Sequence, residues 1–72
     1  MQISSTAISP TLKTLFDELK ETCLATLKLI NQLEIEHLTG DQLEEILGEL
    51  SVSAMQLRMH ADFVNEEIEK MY

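Results

Sequence analysis

Seventy-two residues carrying thirteen acidic and five basic side chains, for a formal net charge of −8, bound a single domain near the size at which one core barely offsets chain entropy. The chain is 44% hydrophobic but only 4% aromatic, with two glycines and one proline; that suits a core of Leu, Ile and Met and excludes a set of β-hairpins for want of turn formers. The charge makes nucleic acid a poor default partner, because phosphate binding needs a positive footprint.

Residues 1–8 are short, Ser/Thr-rich and uncapped, and read as a flexible N-terminal tail. They place no basic region before an apolar run, so no secretory signal is expected. No segment approaches about 18 uninterrupted apolar residues, so no membrane span is expected either. The lone Cys23 excludes an internal disulfide and suits a reducing compartment, which makes a cytoplasmic location the expectation.

Residues 9–72 read as a helical hairpin. Ser9 can accept a hydrogen bond from an orphan amide, and Pro10 has no amide to leave unpaired, so "SP" starts a helix over about 10–37. Along it Leu12, Phe16, Leu19, Cys23, Thr26, Ile30 and Leu33 recur at alternating spacings of four and three, which places them on one face. Leu15, Leu27 and Leu29 widen that face on both flanks.

A turn is expected over 37–40. In "HLTGDQL", Thr39 and Gln42 form the S/T-x-x-E/Q pattern of a capping box, and Leu38 and Leu43 stand where a hydrophobic staple would close. Asp41, Glu44 and Glu45 then put negative charge on the positive end of a new helix, while His37 falls at the C-terminal end of the preceding one. The second helix, about 40–70, carries Leu43, Leu47, Leu50, Ala54, Leu57, Ala61, Val64, Ile68 and Met71 in unbroken four-three alternation. A sustained heptad pattern of this kind signals coiled-coil-like packing. Gly48 costs about 1 kcal/mol of helix propensity relative to alanine, but the repeat runs through it and the helix is expected to continue.

Two helices joined by a tight turn must lie antiparallel, and a lone hairpin covers only part of each stripe. The simplest cover is a second copy. The expected fold is therefore all-α: an antiparallel two-helix hairpin that dimerises into a four-helix bundle.

"TLKLINQL" at Thr26 to Leu33, and "EILGEL" with the later Ala54 and Leu57, give the chain a resemblance to the Rop (repressor of primer) family of plasmid copy-number regulators. Those proteins are helical hairpins that dimerise into four-helix bundles, and the resemblance implies that fold here. Aligned on "TLKLINQL", the family's RNA-contacting face would fall on Pro10, Asp17, Glu21, Ala25 and Gln32, none of which is basic. The same alignment turns Leu15, Thr22 and Leu29 inward in place of Phe16, Cys23 and Ile30. The periodicity favours the latter set, which buries more apolar surface.

Sites of chemistry are scarce. Glu34 and His37 make a Glu-x-x-His, but the other carboxylates lie off the stripes, so no metal is expected. His60 flanks the second stripe as a polar residue, and Cys23 reads as a buried thiol rather than a nucleophile. With no Gly-rich phosphate loop and no Ser/His/Asp set, neither an enzyme nor a cofactor is expected. Lys13, Lys20 and Lys28 form the basic stripe along the first helix on which a Rop-like RNA-binding regulator could draw. Val52, Met55, Met59 and Phe63 cluster on the side of the second helix opposite its stripe. Methionine suits adaptable contact surfaces, so these four are the expected partner-binding patch of an adaptor or regulator, with another protein or a second dimer as the partner.

Overall fold

The computed structural model describes residues 8–71; most of the expected tail (1–7) and the final residue, 72, lie outside the described residues. Two helices form: α1, Pro10–Gln32, and α2, Gly40–Glu69. They pack against each other as a hairpin. Thr26 meets Ser53, while Glu18 approaches His60 further from the turn. Residue numbers thus rise along α1 as their partners' fall along α2, which makes the pair antiparallel. No helix among the described residues is long and apolar enough to cross a membrane.

Both helix starts follow the expected chemistry. Ser9 sits in extended backbone with φ −74°, and its Oγ accepts from the Leu12 amide at 3.1 Å, with Pro10 at the first helical position. At Thr39 the box closes in both directions: Thr39 Oγ1 accepts from the Gln42 amide at 3.1 Å, and Gln42 Oε1 accepts from the Thr39 amide at 3.0 Å. Through Gly48, α2 is unbroken.

The end of α1 differs from expectation. The helix stops at Gln32, not near residue 37, and residues 33–39 make the connection. The Glu34 and Ile35 amides reach back only three residues, to the Asn31 and Gln32 carbonyls at 3.1 and 3.2 Å, a tightened last turn. His37 then takes φ 66°, the left-handed conformation that reverses the chain. It is a loop residue, exposed, 3.7 Å from Glu36. The physical reason is burial. Beyond Leu33, residues 34–37 are all exposed, so a longer helix would gain no packing, and packing rather than propensity sustains most protein helices.

Candidate functional site

Each helix contributes one row to the seam between them. On α1, Leu12 and Thr22 are buried and Leu15, Leu19, Thr26 and Leu29 half-buried, as is Leu33 just past its end; on α2, Ser53 and Val64 are buried and Ile46, Leu50, Leu57 and His60 half-buried. The seam is thus Leu15, Thr22 and Leu29, the register that the alignment on "TLKLINQL" gives, and not Phe16, Cys23 and Ile30. Phe16 stays half-buried at its edge, but Cys23 and Ile30 are exposed. On α2 the same shift applies: Ile46, Ser53 and His60 face α1, whereas Leu43, Leu47 and Ala54 are exposed and Ala61 half-buried. Leu12, Leu19, Leu33, Leu50, Leu57, Val64 and Ile68 keep their expected inward side.

Small hydroxyl residues explain the choice. At the middle of the seam Thr26 Oγ1 and Ser53 Oγ lie 2.6 Å apart. Thr26 gives its only hydroxyl proton to the Thr22 carbonyl at 2.8 Å, so Ser53 is the donor between the helices. Thr22 donates in turn to the Glu18 carbonyl at 3.0 Å. Every hydroxyl in this layer is satisfied, and side chains this short let the backbones approach closely. Nearer the open end, His60 Nδ1 is buried without a hydrogen-bond partner, 3.8 Å from Glu18 Oε1, and the imidazole meets Phe63 edge-on with centroids 6.5 Å apart. His60 is therefore part of the seam rather than a flank residue. A second period-seven set, 15/22/29 and 46/53/60, ran beside the more apolar one in the sequence and was the signal for this arrangement.

The rotation leaves two distinct surfaces. In a right-handed helix the next residue lies about 100° further round the axis. For two antiparallel helices that rotation brings the residues following the seam positions to one common side. Phe16, Cys23, Leu27 and Ile30 of α1 therefore share a face with Leu47, Ala54 and Ala61 of α2, and Leu43 extends it toward the turn; Lys13, Lys20 and Arg58 follow seam positions too and edge it, Lys13 and Lys20 lining one hollow with Phe16. By the same rule the residues preceding the seam positions share the other side: Glu18, Ala25 and Gln32 with Glu45, Glu49, Val52, Gln56, Met59 and Phe63. Three of the four patch residues are in that set, with Met55 outermost; Met55 is 70% and Met59 50% exposed.

Among the described residues no group of three or more His, Cys, Asp or Glu side chains stands where it could hold a metal ion. Glu34 and His37 lie in the connection, both exposed. On α1, Lys13, Lys20 and Lys28 are exposed, and Lys13 lies 3.6 Å from Asp17. Compared with family models, curated proteins and solved structures, the chain matches none.

Proposed function

We propose that the chain is a homodimeric helical-bundle protein that serves as a protein-interaction module, an adaptor or regulator. The observation that carries this reading is that large apolar side chains stay exposed on both sides of one seam, among them Leu27, Ile30 and Leu47 on one side and Val52, Met59 and Phe63 on the other. Among the described residues only Leu12 and Val64 are buried apolar residues, at 3% and 6% exposure, while Leu27, Ile30, Leu43 and Leu47 are exposed. An exposed apolar row of that kind, edged by Lys13, Lys20 and Arg58, calls for a cover, and a second copy supplies one through an isologous contact. Pairing there completes a four-helix bundle and leaves Val52, Met55, Met59 and Phe63 outside it, free for a different protein. The charge of −8 favours a protein partner over phosphate.

The test is the Met59→Glu/Phe63→Lys variant beside wild type. The variant is expected to stay dimeric and as helical as wild type, since exposed polar residues are tolerated within about ±0.5 kcal/mol, while capture of the native partner from lysate falls sharply, because central apolar anchors dominate interface energies. Unfolding of the double variant would place those residues in the core and remove the reading.

A further inference from the structure

We infer that the side of the hairpin bearing Val52, Met59 and Phe63 takes a basic amphipathic helix; this rests on the interaction-module reading and names the partner's chemistry. A shallow groove runs over the seam on this side; Ala25, Leu29 and Val52 give it apolar lining, and Glu44, Glu45 and Glu49 give it three carboxylates, all from α2. Ser53 and Gln56 add neutral polar groups, and no basic side chain among the described residues lines it. The basic residue nearest Ala25 in sequence, Lys28, lines a separate hollow with Leu24 and Ile35.

Shape and charge both point to a helix. Gly48 forms part of the groove, and a Cβ placed there would meet nothing within 4 Å, so the groove is open where a neighbouring backbone would approach. From Glu44 to Gln56 the groove follows α2 for about 18 Å, the length of a helix of about twelve residues at 1.5 Å each. Met59 and Phe63 lie further along α2 toward the open end, where Met59 shares a hollow with Met55, Arg58 and Asp62, so the acidic stretch of the surface ends before Arg58. An occupant with Leu-type side chains at i, i+3, i+4 and i+7 would lay them on Ala25, Leu29 and Val52. Its flanking Lys or Arg would then stand against the glutamates. Such complementarity speeds encounter and rejects acidic competitors. Residues 1–7, "MQISSTA", hold no basic side chain and lack this chemistry.

The experiment uses the full chain and two labelled synthetic helical peptides of equal apolar pattern, one flanked by lysines and one by glutamates, followed by fluorescence anisotropy. Saturable binding of the lysine peptide alone is expected. Raising ionic strength from about 0.1 to about 1 M, which shortens the screening length from about 10 to about 3 Å, should weaken it. Glu45→Lys/Glu49→Lys and, separately, Gly48→Leu should each cost about tenfold or more in affinity with the dimer intact. Glu34→Lys/Glu36→Lys, an equal charge change in the exposed connection, should leave affinity within about twofold.

Equal binding of both peptides, or an equal loss in the connection variant, overturns the proposal, because attraction would then follow net charge rather than the groove. Dissociation of the dimer by the groove variants also overturns it and assigns the groove to the second copy. If the lysine peptide fails to bind while native capture still depends on Met59, the basic-helix inference falls and the interaction module stands. If capture is also lost from wild type, both fall.

Discussion

A methyl group added at Gly48 would meet nothing within 4 Å, so the glycine contributes only its backbone freedom to the helix. Gly48→Ala should therefore raise stability by about 1 kcal/mol, read as a higher urea midpoint at unchanged slope. Thr39 is the opposite case, because its hydroxyl and the Gln42 amide side chain satisfy two amides at the start of α2. Thr39→Ala should cost roughly 0.5–2 kcal/mol without altering oligomeric state; an unchanged midpoint would show that the cap is not used in solution. His37 holds a left-handed φ of 66°, a conformation that histidine tolerates better than most residues and β-branched ones rarely adopt. His37→Val should accordingly lower stability by about 1–2 kcal/mol, whereas His37→Gly should be neutral or stabilising in the same titration.

Between the helices, the Thr26–Ser53 hydroxyl pair fixes both spacing and register. Ser53→Ala removes one donor yet leaves Thr26 bonded to the Thr22 carbonyl, so the expected loss is about 0.5–1.5 kcal/mol. Ser53→Leu adds volume to a position only 6% exposed and should cost more, about 1–3 kcal/mol, in a thermal melt of the two variants side by side. This layer also marks the limit of what was legible beforehand. Helix starts at Ser9 and Thr39 could be read directly, because capping is local chemistry written within four residues. Rotation about the helix axis could not, because Phe16, Cys23 and Ile30 compete with Leu15, Thr22 and Leu29 at the same period, and apolar content favours the first set. The hairpin instead brings together the set with small hydroxyls at its middle, a choice made by contact between residues 27 apart. The early stop of α1 was hidden for a related reason. Residues 34–37 have helix-compatible side chains but nothing to pack on.

At the scale of the whole molecule, the displaced apolar set becomes the informative one. Phe16, Cys23 and Ile30 with Leu43, Leu47, Ala54 and Ala61, flanked by Leu27, were expected on the stripes shared between the hairpin core and the dimer contact. In the hairpin they instead form the side that a second copy is proposed to cover; in that proposed dimer both period-seven sets would serve one four-helix core. Carboxylates are expensive to bury unpaired, costing several kcal/mol. Ile30→Glu/Leu47→Glu should therefore break the assembly while changing no seam residue, and helicity should fall with it because one hairpin buries so little. The most direct measurement is sedimentation equilibrium of wild type across a range of micromolar concentrations, with circular dichroism on the same samples. The proposed bundle predicts a mass of twice 8.2 kDa and a melting temperature that rises with concentration; a fully helical monomer of 8.2 kDa with a concentration-independent melt would contradict it.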